Sequence, residues 1–186
     1  FDNFNGGPVT VSNLPTQTLS QIEINNDAIV TWQATSAITL TMIESLNLEA
    51  GSSLALSGSS AITMQFASGA TGLISGTVSM LGTAAHRLST TNGQAVRFES
   101  GALFVQEAPG PVFGTTGIPD AVVFGSGSTF SMQSTLPAAL APFGLAAPSS
   151  KVQFESGSTY ALRSTVAGAF PLANRTYPNV LVDANT

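Results

Sequence analysis

VRFESGALFVQ (Val96 to Gln106), VVFGSGSTFSM (Val122 to Met132) and VQFESGSTYAL (Val152 to Leu162) lie over one another without a gap. Val96, Val122 and Val152 fall in register, followed by an aromatic column at Phe98, Phe124 and Phe154. A Ser-Gly pair recurs at Ser100-Gly101, Ser126-Gly127 and Ser156-Gly157, and a second aromatic column closes the unit at Phe104, Phe130 and Tyr160. The units begin 26 and 30 residues apart. That is too long for a hairpin meander and suits one coil of a solenoid, in which each coil stacks like side chains on the next.

The phase extends in both directions. Met64 to Gly69 and Leu46 to Gly51 end on the same Gly; Ile22 to Asp27 puts Asp there, and Val180 to Asn185 puts Asn there. Gly, Asp and Asn enter the left-handed backbone region most cheaply, so the shared position reads as a corner with φ > 0. Seven units result. A weaker eighth lies at Val78-Ser79-Met80, where the corner does not align. The spacing from Leu46 to Met64, 18 residues, approaches a minimal three-sided coil.

Composition narrows the classes. Only 8% of the 186 residues are charged while 43% are hydrophobic, which excludes a disordered chain. No apolar run reaches the roughly 18–20 residues of a membrane helix, so no membrane span is expected. A net charge of −5 with five basic residues offers no footprint for nucleic acid. Without cysteine there is no disulfide scaffold and no thiolate metal site. Low charge also follows from stacking, because like charges in one column repel. The chain opens at Phe1 without Met, which points to a processed protein or an excerpt.

One solenoid domain over 1–186 is expected. It divides into a lead or cap at 1–20, compact turns at 21–104, and turns with long apolar loops at 105–186. The excursions 107–120, 133–151 and 163–179 are unusually apolar for surface connections, 133–148 and 166–172 being rich in Ala, Leu, Phe and Pro, and are expected to fold over the flank or meet a neighbouring chain. Pro137, Pro142 and Pro148 preclude a continuous helix in the second.

Candidate sites are few. His86 is the sole histidine, and without convergent ligands it reads as a surface or loop residue. Glu99 and Glu155 share a phase two rungs apart, about 9–10 Å by strand spacing, which falls within the range of an inverting glycosidase pair. Their place beside the corner favours solvated turn residues, with Gly125 separating the two like charges. Gly125-Ser126-Gly127 is a corner rather than a phosphate loop, since no helix follows. Asn174-Arg175-Thr176 matches a glycosylation sequon, and Thr39/Thr41 is a Thr-x-Thr pair an ice-binding ladder could use. No catalytic, cofactor-binding or metal residue, and no cofactor, is assigned.

Pro142-Phe143-Gly144, Phe154 to Tyr160 and Arg175-Thr176-Tyr177 together resemble repeat regions of large secreted cell-surface proteins from Bacteroidetes. The likeness covers roughly residues 95–186 and implies an extracellular, adhesin-like β-solenoid, secreted to the cell surface. It brings no catalytic residues. The expected fold is therefore a right-handed parallel β-helix of about seven to eight turns, its hand taken from crossover chirality. The expected function is a non-enzymatic structural or adhesive module whose partner is itself, as homo-oligomer or filament, with surface polysaccharide as a second partner class. The alternative is a polysaccharide-active β-helix enzyme or carbohydrate-binding module.

Overall fold

In the computed structural model the described residues are 7–114, 118, 120–133, 143, 151–163 and 176–183. Apolar side chains alternate with small hydroxylated ones, so each short segment forms a strand that is buried on one face. The strands are β1 (Val9–Val11), β2 (Gln17–Ile24), β3 (Ile29–Gln33), β4 (Ile38–Leu48), β5 (Ser53–Ser57), β6 (Ile62–Phe66), β7 (Thr71–Ile74) and β8 (Thr77–Met80). They continue as β9 (Arg87–Thr90), β10 (Val96–Phe98), β11 (Leu103–Gln106), β12 (Val122–Phe124), β13 (Thr129–Met132), β14 (Val152–Phe154), β15 (Thr159–Leu162) and β16 (Asn179–Val182). Among the described residues there is no helix.

All pairings are parallel, and they build two sheets. The first runs β1-β3-β5-β8-β11-β13-β15-β16; the second runs β14-β12-β10-β7-β4-β6-β9, with β2 also beside β4. β4 carries two ladders end to end: Ile38–Met42 pairs with β6, and Ser45–Leu48 pairs with β7. The chain is thus an all-β parallel solenoid. The series β2, β4, β7, β10, β12, β14 counts about six turns, slightly fewer than the seven to eight expected.

The miscount has a physical origin. Leu46–Gly51 and Met64–Gly69 both run apolar, polar, apolar into a left-handed glycine, with φ of 84° at Gly51 and 82° at Gly69. Yet Leu46 pairs with Gly72 while Met64 pairs with Leu40, so the two segments lie on different ladders. The 18-residue coil does not exist; Ile29, Ser53 and Thr77 recur at intervals of 24. Val180–Val182 pairs with Tyr160–Leu162, which places it after the corner rather than before it. Val78-Ser79-Met80 is β8, in register with Leu54–Leu56 on the same after-corner ladder. The lead at 1–20 already contributes to the solenoid, as β1 and the start of β2.

The other corners are as expected. Gly101, Gly127 and Gly157 have φ of 83°, 80° and 87°, and Asp27, at the Gly51 position, has 57°. Their backbones also stack, Gly101 N–H on the Gly127 carbonyl and Gly127 N–H on that of Gly157, each at 3.1 Å. Ser128 and Ser158 hydroxyls, buried at the corner, donate to the carbonyls of Gly125 and Glu155 at 2.7 Å.

Two inward columns run the length of the first sheet without a slip in register. One reads Val9, Val30, Leu54, Val78, Phe104, Phe130, Tyr160, Val180; the other reads Val11, Trp32, Leu56, Met80, Gln106, Met132, Leu162, Val182. Buried Gln106 interrupts the second, and its amide donates to the Ala108 and Gly110 carbonyls, tying down the loop that follows. In the second sheet Phe98, Phe124 and Phe154 point inward and stack face to face, with ring centroids 4.5 and 4.9 Å apart.

A third aromatic column is formed by the excursions themselves. Phe113 and Phe143 are buried, and their rings lie parallel 6.5 Å apart. Tyr177 stands beyond, 6.4 Å from Phe143. Phe113 meets Phe104 and Phe124; Phe143 meets Phe130, Phe154 and Tyr160. The expectation that the loops fold onto the solenoid holds at these described positions. Residues 134–142, 144–150 and 164–175 lie outside the described residues.

Candidate functional site

Arg97 is the centre of a charged network with Glu99 and Glu155 in the repeat region. Val96 and Phe98 face the core, so strand alternation turns Arg97 outward, in a column with Val123 and Gln153. Its guanidinium reaches along the stack. Nε donates to Glu99 at 3.0 Å, while Nη1 and Nη2 grip both oxygens of Glu155, two rungs away, at 2.9 and 2.6 Å.

Gly125 makes this span possible. A Cβ there would stand 3.0 Å from Arg97 Nη2 and 3.0 Å from the Phe98 carbonyl. The glycine thus does more than separate Glu99 from Glu155, because it clears the path for the cation that joins them. Both glutamates are partly exposed but ion-paired, rather than freely solvated turn residues as expected.

The electrostatics bear on chemistry. Hydrogen bonding from Arg97 holds the Glu155 carboxyl below the usual carboxylate range, and Glu155 in turn raises the guanidinium. An inverting glycosidase needs one carboxyl of its pair raised and protonated to donate to the leaving oxygen. A Glu155 stabilised as the anion, with two donors on its oxygens, does not fit that acid role. With about a third of each side chain exposed, such a bridge stabilises the fold by about 1 kcal/mol or less.

His86 lies in a loop before β9, one half of the expectation, but it is not on the surface. It is fully buried, and its Nδ1 accepts the backbone N–H of Ile62 at 3.2 Å, standing in for the carbonyl a neighbouring strand would supply. That bond places the proton of the neutral ring on Nε2. Burial pulls the imidazole below the ordinary histidine value, only partly opposed by the nearby carbonyls of Leu81 and Gly58. The sequence signal that misled was polarity. His86 follows Ala84-Ala85 at a loop, and nothing in the local pattern marks an inward side chain.

Lys151 was not singled out by the sequence. Val96 N–H binds the Ala121 carbonyl and Val122 N–H binds that of Lys151, which sets Lys151 in a column otherwise occupied by Ala95 and Ala121. It is buried, and desolvation pulls its ammonium below the lysine range. Its only trace in the sequence is phase, as the residue before Val152.

Other candidates resolve simply. Gly125-Ser126-Gly127 forms the corner between β12 and β13. Thr39 stacks on Thr63, but the next rung is Arg87, while Thr41 lies between Thr18 and Gln65, so the threonine ladder is short. Asn174 and Arg175 of the sequon lie outside the described residues. Among the described residues no group of three or more His, Asp or Glu converges as metal ligands. No helix among them is long and apolar enough to cross a membrane.

Both ends of the solenoid present apolar side chains. At the β1 end a recess of about 300 Å³ is lined by Val11, Leu14, Leu19, Ile22, Trp32 and Leu40 together with the polar Gln17, Gln21 and Glu23. At the other end Val180, Leu181 and Val182 are exposed. The chain is an all-β parallel solenoid that no family model, no curated protein and no solved structure matches.

Proposed function

We propose that this chain is a non-enzymatic extracellular module, a self-associating structural or adhesive subunit of a cell-surface assembly. The observation that carries this reading is the in-register inward stack, apolar but for Gln106, whose columns run out at both ends onto half-buried or exposed apolar residues. Solenoids that stay monomeric cap their terminal coils with polar surface. The resemblance of residues 95–186 to secreted surface repeats supports the extracellular setting. The Arg97 clamp speaks against Glu155 as the acid of a glycosidase pair, because it stabilises the anionic form of that carboxyl.

Sedimentation velocity over a hundredfold concentration range, paired with negative-stain images, tests the proposal. Concentration-dependent oligomers or fibres are expected. A clean monomer throughout, or turnover of a polysaccharide panel, would sink it.

A further inference from the structure

The two edges of the first sheet match each other. Among the described residues β1 pairs with β3 alone and β16 with β15 alone, so the sheet ends in an unpaired edge at each extremity. Both inward columns begin and end on valine, Val9 with Val180 and Val11 with Val182. Val9, Val180 and Val182 are 45, 46 and 66% exposed, where the interior rungs of the same columns are buried apart from half-buried Leu162. Exposure here marks a missing neighbouring rung.

The free backbone groups are also correctly aimed. Asp183 N–H binds the Leu162 carbonyl at 2.9 Å, so by alternation the N–H groups of Val180 and Val182 point away from β15, toward the open edge. Edge strands are ordinarily blunted by lysine, by an internal proline or by a bulge. β1 (VTV) and β16 (NVLV) carry no charge and no proline within the strand, Pro8 and Pro178 standing just outside.

We infer that β1 of a second copy adds in parallel to β16, with Val9 beside Val180 and Val11 beside Val182. This names the contact that would carry the self-association proposed above, and it rests on that reading. A second copy satisfies the edge because the sheet is uniformly parallel and in register. Translation along the axis by eight rungs, about 38 Å, brings β1 beside β16 in the right direction and phase. Both valine columns then continue across the junction, and the recess at Val11, Leu14 and Leu19 meets the half-buried Leu162 and Tyr177 of the copy below. The contact is head to tail and does not close on itself, so it propagates as a filament.

Absence of native cysteine makes the register testable. In the proposed pairing Thr10 of one copy lies beside Leu181 of the next, both facing outward. The double variant Thr10→Cys/Leu181→Cys, mildly oxidised, is expected to give a reducible ladder of covalent dimers, trimers and higher forms. Thr10→Cys/Asp183→Cys, displaced by two residues or about 7 Å, should cross-link at least tenfold less. Val182→Pro, which removes an edge N–H without touching the bonds to β15, should abolish oligomers while leaving the β-sheet circular dichroism intact. Equal cross-linking by the two cysteine pairs would overturn the register. A monomeric Thr10→Cys/Leu181→Cys beside an associating unmodified protein would overturn the contact and leave lateral association in place. A monomeric unmodified protein would end both this contact and the self-association it rests on.

Discussion

Gly127 meets two constraints that are separable by mutation. Its φ of 80° disfavours any side chain, and an added Cβ would also stand 2.6 Å from Ser100 Oγ in the corner below. Gly69 has a nearly identical φ of 82° with no atom within 4 Å of that position. Gly69→Val therefore measures the left-handed penalty alone, about 1 kcal/mol or more. Gly127→Val is expected to cost more than that, and urea denaturation of the two variants gives the difference. Equal losses would mean that the stacked corner yields freely.

His86 makes a second prediction at this scale. Its folded value is depressed by burial, so above the ordinary histidine value near 6.5 both folded and unfolded states are neutral and stability is full. As pH falls below that value the unfolded chain takes up a proton that the folded chain resists, and stability declines, by at most about 1.4 kcal/mol per pH unit. His86→Gln keeps an acceptor for the Ile62 N–H but cannot titrate. Denaturation at pH 7.5 and 5.5 should therefore show a smaller acid loss in His86→Gln than in the parent, and matching slopes would remove His86 as the cause.

Strands and columns decide how much of this molecule could be read in advance. Two aromatic columns were legible because Phe98, Phe124 and Phe154, and likewise Phe104, Phe130 and Tyr160, sit in gapless repeats whose alternation shows which side chains point inward. The third, at Phe113, Phe143 and Tyr177, was not, because Pro-rich segments without alternation surround each member. The signal was present as spacing: Phe113 and Phe143 are 30 residues apart, as are Val122 and Val152. The Arg97 clamp was illegible for another reason. Glu155 lies 58 residues away, and only the register of β10, β12 and β14 brings the two within reach. Seen as a column element, Phe124 is the keystone. Its ring stacks between Phe98 and Phe154 and meets Phe104, Phe113 and Phe130 edge-on. Phe124→Ala should cost roughly 3–5 kcal/mol in chemical denaturation. A loss under about 1 kcal/mol would show that neighbouring rings collapse into the gap.

On the scale of the whole molecule, each strand pairs only with the strands stacked next to it, so stability is a sum of nearest-neighbour terms and need not be uniform. Interior strands β5, β8, β11 and β13 have a partner on both edges, whereas β1 and β16 have one each among the described residues. All three aromatic columns lie in the coils from β10 onward, while Trp32 is the one large aromatic in the first sheet before β11. Native-state hydrogen exchange, at concentrations where the protein is monomeric, should therefore rank the amides. β1 and β16 are expected to exchange fastest, β3 and β5 more slowly, and β11 to β13 slowest of all. Phe124→Ala sharpens the test, since its effect must travel through the stack. Opening free energies should fall in β10 to β14 but change by less than about 0.5 kcal/mol in β3 and β5, which share no contact with the site. A uniform drop over every strand would mean that the solenoid opens as one cooperative unit, and the nearest-neighbour account would fail with it.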